Sequence, residues 1–237
     1  MNFDLLVHEA WPAYEQQSHD GWLLRYAGGV TKRANSVLAL NPPADLDSAI
    51  RAAEAFYGGR GERCVFSVGP GAAPGLDEEL ERRGYELVDQ TCIMTRPPEA
   101  GPKAGGPLDK EVRIEDRPWR GWLETWWAVD GRYGDGLEAA ERVCTGVPAW
   151  YAAFEEEGVA LAVGRAVPQG DTLGIYCMAT LPEARRRGLA RTVLRALTRH
   201  AGTASAYLVV TVGNEAAQTL YRSEGFQFAG RYHYRIR

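Results

Sequence analysis

Arginine fills three consecutive positions, Arg185, Arg186 and Arg187, directly before Gly188, Leu189 and Ala190. Like charges in a row repel, so the run is either a solvated helix start or the seat of an anion. The residues that follow predict a helix: Leu189, Val193, Leu194 and Leu197 share one face, and Arg191, Arg195 and Arg199 line the opposite, solvated one. A helix start leaves several amide N–H groups unpaired, and its dipole favours negative charge. Gly188 and Ala190 are small enough to let a ligand approach the backbone, and guanidiniums add charge-assisted bonds to phosphate. Small residues, free amides and arginines at one helix start make a pyrophosphate cradle. The stretch is neither the phosphate loop GxxxxGK nor the dinucleotide fingerprint GxGxxG.

Composition bounds what such a cradle can serve. The chain has 237 residues and a net charge of −4, so any anion site is local, and a protein built to coat nucleic acid is excluded. The length suits one large domain or two small ones. The cysteines Cys64, Cys92, Cys144 and Cys177 form no CxxC pair. With no charged-then-apolar segment at the start, they are expected as reduced, buried thiols of a cytoplasmic protein. No apolar run is long enough to cross a bilayer, and no metal site is expected.

One segment divides the chain. "RPPEAGPKAGGPLDK", Arg96 to Lys110, is rich in proline and glycine and holds almost nothing to bury, which marks a linker. The reading is two domains, 1–96 and 111–237, joined by 97–110. In the first, "GWLLRYAGG" and "KRANSVLAL" read as strands about a glycine turn, "ADLDSAIRAAEAFYGG" as a helix, "CVFSVG" as a strand, and "GLDEELERRGYELVDQTCI" as a helix and strand. In the second, "EVRIED" is a strand, and a helix follows with Trp119, Trp122 and Trp126 on one face, a stripe of core type. "LEAAERVCTGVPAWYAAFEEEG" reads as a further helical region, loosened at Gly146 and Pro148. "VALAVGRAV" and "TLGIYCMAT" form a hairpin about Pro168–Asp171. The arginine loop and its helix come next, then the strand "AYLVVTV", the helix "NEAAQTLYRSEGF" and the terminal strand "RYHYRI". The endings of the halves echo each other: "ERRGYELVDQTCIMTR" and "YRSEGFQFAGRYHYRIR" both run from helix through glycine and aromatic into strand.

In this context the sequence resembles the GNAT superfamily of acyl-CoA-dependent N-acetyltransferases. The family pattern Gln/Arg-x-x-Gly-x-Gly/Ala stands as Arg185-Arg186-Arg187-Gly188-Leu189-Ala190, and "NEAAQTLYRSEGF" matches the second signature. The resemblance implies an α/β (α+β) tandem GNAT-like fold, a mixed central sheet flanked by helices, with the CoA loop in the C-terminal copy only. It implies acetyl-CoA as acyl donor and a small-molecule or peptide amine as acceptor. Met178, Ala179 and Thr180 would pair with the pantetheine arm. Amides from Arg187 to Arg191 would cradle the pyrophosphate, beside Arg185 and Arg186. Asn214 would cap its helix and touch the pantetheine, and Tyr221 would protonate the leaving thiolate. Asn214 and Tyr221 lie two helical turns apart, hence on one face.

The sequence departs from the family in two places. Where many members carry a glutamate as general base, "IYCMAT" offers Tyr176 and Cys177, leaving Asp130, Glu124 and His233 as candidates. Cys177 as an acyl-accepting nucleophile is weighed against a buried structural thiol. The corresponding helix start of the first half carries Asp45 and Asp47, good caps that repel phosphate. Arg25, Arg33, Asn35 and Ser36 are offered by that half to an acceptor pocket. Two readings stand against each other: a transferase acting by direct attack in a ternary complex, and a non-catalytic acyl-CoA sensor on the same fold.

Overall fold

The computed structural model describes residues 1–97, 112–131, 136–202 and 205–237. The linker expected at 97–110 lies outside the described residues except for Pro97. The chain divides into two compact units, Met1–Cys92 with Gly230–Arg237, and Ile93–Ala229.

The first unit opens with helix α1 (Phe3–Ala10), which the Asn2 side chain caps by accepting from the Leu5 amide. Strands β1 (Glu15–His19) and β2 (Trp22–Tyr26) form a two-residue hairpin about Asp20–Gly21, closed by the pair His19↔Trp22. Strand β3 is only Val37–Leu38. Most of the run expected as a strand from Lys32 is instead a turn. There Asn35 Oδ1 accepts from the amides of Ala27 and Gly29, at 2.7 and 2.9 Å, and so replaces ladder bonds. Helix α2 (Leu46–Gly58) starts at Asp45, whose carboxylate takes the amides of Asp47 and Ser48. Strand β4 (Val65–Val68), helix α3 (Leu76–Arg82) and the first part of β5 (Glu86–Arg96) follow. The strand order is β1-β2-β3-β4-β11, where β11 (Gln227–Ile236) runs antiparallel to β4 from His233↔Val68 to Ile236↔Val65. Trp22, Phe66 and Tyr85 stack edge to face in the core, at 5.7 and 5.6 Å.

The second unit contains β6 (Val112–Glu115), α4 (Arg120–Asp130), α5 (Leu137–Cys144), β7 (Trp150–Glu156), β8 (Val159–Gln169) and β9 (Thr172–Thr180). Helix α6 (Leu189–Ala201), β10 (Ser205–Thr211) and α7 (Glu215–Ser223) complete it. Its strand order is β5-β10-β9-β8-β7-β6. Each unit is thus a mixed sheet that contains a parallel pair joined through a helix: β3–α2–β4 in the first, β9–α6–β10 in the second.

The stretch from Trp150 to Glu156 is a strand rather than helix. Pro148 has no amide hydrogen to donate, and the chain beyond it is buried on both faces, which hides the alternation a strand normally shows. Of the tryptophan stripe, Trp122 and Trp126 are core, 5.6 Å apart. The Trp122 indole donates to the carbonyls of Ala152 and Gly164. Trp119 instead stands ahead of α4, under Arg113, and donates to Glu155.

Candidate active site

Two parallel strands part company in the second unit. Among the described residues, β10 pairs with β9 from Ser205↔Thr172 to Leu208↔Ile175, yet β9 continues to Thr180 and β10 to Thr211. On its other side β9 stays bonded to β8, through Val163↔Ala179 and Ala162↔Thr180. Met178, Ala179 and Thr180 therefore have no strand partner in β10, although the Thr180 carbonyl accepts from Arg185 Nε at 3.3 Å. A bulge opposite Gly164 aims them: the register shifts between Val163 and Arg165, and Cys177 takes a left-handed φ of 52°. Glycine at position 164 leaves room for the side chains packed on the bulge. A Cβ there would lie 2.6 Å from Met178 Sδ and 3.0 Å from Val193 Cγ1.

Beyond Thr180 a 3₁₀ turn, Pro182–Ala184, ends the strand. Gly188 then starts α6 in the left-handed region, φ 80°, and no side chain caps this end. The first intrahelical bond is from the Thr192 amide to the Gly188 carbonyl, so the amides of Leu189, Ala190 and Arg191 precede it. Opposite stands α7, where Asn214 Oδ1 accepts from the Ala217 amide at 3.1 Å, the cap expected from the sequence. Gln218 ties α7 to the end of β10 by donating to the carbonyls of Thr211 and Val212.

These elements enclose a cleft of about 650 Å³. Met178, Ala179, Thr180, Arg185, Arg186, Gly188, Leu189, Ala190, Arg191, Asn214 and Tyr221 all line it. Arg187 does not, because its guanidinium forks onto both Glu156 oxygens at 2.6 and 2.7 Å. Tyr221 is 7% exposed and packs edge-on against Phe226. Burial pushes its phenol up to about 12. Among the described residues its hydroxyl bonds no protein group, so its proton is available to the cleft.

Of the arginines expected on a solvated face, Arg191 and Arg199 are exposed, whereas Arg195 is drawn partly out of solvent by an acid. Arg195 donates from Nε and NH2 to the two oxygens of Glu224, at 2.7 and 3.0 Å, and Arg191 Nε adds a third bond at 2.9 Å. Glu224 is 3% exposed. This carboxylate clamps α6 to the end of α7, and the sequence reading missed it, as it missed Gln218. The signal available was a pair of arginines four apart on one helix, a spacing suited to sharing one acid.

The candidates for a base scatter. Tyr176 hydrogen-bonds to the Tyr207 hydroxyl, which in turn donates to Gln169. Glu124 takes the exposed Arg120 guanidinium at 2.7 Å. His233 lies on β11 in the first unit, bonded to Asp77. Asp130 ends α4, and its charge acts on the Cys177 thiol. In the first unit, Arg25, Asn35 and Ser36 are buried and spent on each other and the backbone: Arg25 donates to the Ser36 carbonyl and hydroxyl, at 2.9 and 2.8 Å. Arg33 stacks over Trp11.

Residues 6–235 match the family described as "Probable histone acetyltransferase Rv0428c C-terminal". The chain belongs to this family. It is an acyltransferase, a GNAT-type acetyltransferase. It is 28% identical to the uncharacterized N-acetyltransferase YobR of Bacillus subtilis, over 98% of this chain and 96% of that one. A GCN5-related N-acetyltransferase from Kribbella flavida superposes with a TM-score of 0.73 at 15% identity, covering 98% of this chain and 94% of that one. A tandem GNAT protein from the clavulanic acid biosynthesis pathway gives 0.61 at 12% identity, covering 100% and 87%. The fold is that of GNAT proteins, as the sequence led us to expect. Among the described residues no helix is long and apolar enough to cross a membrane, and no cluster of three or more His, Cys, Asp or Glu is placed to hold a metal ion.

Proposed function

We propose that the protein transfers the acetyl group of acetyl-CoA to a primary amine, by direct attack while donor and acceptor are both bound. One observation carries this reading: a strand edge without a partner in β10, an uncapped helix start and a tyrosine hydroxyl without a protein partner meet in one cleft. Acetyl-CoA is polar at one end and reactive at the other, and the lining fits both. The amides ahead of Thr192, with Arg185 and Arg186, suit its pyrophosphate. The open edge of Met178–Thr180 suits the amide-bearing pantetheine, and its backbone N–H groups suit the charge that develops on the thioester oxygen. Asn214 faces the same arm. Tyr221, protonated at neutral pH, holds the proton that the departing sulfur takes.

The catalytic unit is the one with this cleft. At the corresponding helix start of the first unit, the Asp45 carboxylate occupies the amides a phosphate would need. That supports reading the N-terminal part as a degenerate copy. The test is a panel of primary amines offered with acetyl-CoA, scored by amine-dependent release of free thiol. Amine-dependent release is the expected result. Binding of acetyl-CoA with no turnover of any amine class would favour an acyl-CoA sensor.

A further inference from the structure

The four cysteines differ sharply in their surroundings. Cys64 and Cys92 are buried in the first unit, and burial pushes the Cys64 thiol up to about 12. Cys144 and Cys177, 33 residues apart in sequence, bring their sulfurs to 4.0 Å. Cys144 closes α5, and Cys177 sits in the left-handed residue of the β9 bulge. Fully buried Arg165, on β8, acts on both thiols and on Tyr151, whose hydroxyl donates to the Cys144 carbonyl at 2.8 Å. A guanidinium buried against two sulfurs favours sulfur in its anionic form. Burial opposes ionisation of Cys144, but the Cys177 thiol and Arg165 outweigh it, and its proton is more easily lost than that of an ordinary cysteine. Burial, the Cys144 sulfur and Asp130 hold the proton on Cys177. The pair is thus two sulfurs in contact, of which Cys144 is the one that more readily becomes a thiolate. Cys177 is partly exposed, which gives a small oxidant a way in.

We propose that Cys144 and Cys177 form a redox-active dithiol, which hydrogen peroxide converts to an intramolecular disulfide. The thiolate sulfur attacks one peroxide oxygen, the O–O bond breaks, and the hydroxide released leaves as water on taking a proton. The resulting sulfenic acid is attacked by the second sulfur, which gives up its proton as the S–O bond breaks and a second water departs. Two thiols and one peroxide become one disulfide and two waters. A dithiol reductant reverses the step by exchange. Cys177 precedes Met178, so the disulfide ties the bulge that aims the donor strand to the end of α5.

The test uses the full chain, treated with an equimolar amount of hydrogen peroxide and quenched. Free thiols should fall from four to two, peptide mapping should join Cys144 to Cys177, and dithiothreitol should restore all four. In Cys177→Ser the disulfide should not form, and the remaining thiolate should be trapped as sulfenic acid by dimedone. Cys144→Ala provides the reciprocal check, with no disulfide expected. Four thiols persisting in natively folded protein under excess peroxide would overturn the proposal. So would a disulfide joining any other pair, or equally fast thiol loss from Cys64 and Cys92.

Discussion

Replacing Tyr221 with phenylalanine removes one hydroxyl from the cleft and leaves the ring in place. The hydroxyl bonds no protein group among the described residues, so the change orphans no partner and should alter stability by less than about 1 kcal/mol. Its effect on rate should be far larger. A positioned general acid contributes about 10²–10⁴-fold, equivalent to about 3–5 kcal/mol of barrier at 1.36 kcal/mol per decade. The pH profile sharpens the test. With the phenol at about 12, only about 0.1% is ionised at pH 9, against roughly 9% for an ordinary tyrosine titrating near 10. The parent's kcat should therefore show no alkaline fall from this group up to pH 10. Steady-state kinetics of both proteins over pH 6–10, with acetyl-CoA affinity measured separately, reads out each part. A kcat within about twofold of the parent would refute the assignment. An alkaline fall below pH 10 that Tyr221→Phe abolishes would show that the phenol is not held up by burial.

Removing the Glu224 carboxylate should be costly. Glu224→Ala leaves Arg195 and Arg191 without their shared partner, but solvent reaches both guanidiniums, so the loss should be about 1.5–3 kcal/mol, the range of hydrogen bonds to charged groups. Urea denaturation measures it, and a loss below about 1 kcal/mol would mean the clamp is ornamental. His8 is held down to about 4 by burial and the neighbouring Arg25, below its ordinary 6.5, so the unfolded chain binds the proton more readily. The stability that neutral His8 supports is complete above 6.5 and is lost as pH falls towards 4. His8→Gln should flatten that part of the stability curve, and an unchanged slope would exclude His8 as its source. A fragment of residues 111–237 lacks β4, the partner of His233–Ile236. It should self-associate in sedimentation, and a stable monomer would contradict the division into units.

Legibility followed locality. The arginine–glycine loop, helix α6 and the β8–β9 hairpin could be read because proline, glycine and apolar spacing mark them within a dozen residues. Strand β7 was lost to helix because burial on both faces erases alternation, and Trp150 and Phe154 are also spaced like a helical pair. Strand β1, Glu15–His19, is polar throughout and offers no apolar signal at all. The site's long-range parts were hidden for a different reason. Glu224 meets Arg191 and Arg195 across 33 and 29 residues, and Cys144 meets Cys177 across 33, so no local pattern contains either partnership. The last strand follows the second unit in sequence but pairs with β4 of the first, a choice made by contacts rather than by chain order.

A single cleft, at Gly188 in the second unit, is proposed to hold coenzyme A. Isothermal titration of the full chain with CoA, beside Gly188→Glu, tests it most directly. The substitution puts a carboxylate where phosphate should sit and a side chain at φ 80°, a left-handed conformation that costs a non-glycine residue about 1–2 kcal/mol. One CoA per chain is expected for the parent and no measurable binding for the variant, with native circular dichroism in both. Two sites per chain, or undiminished affinity in Gly188→Glu, would contradict it.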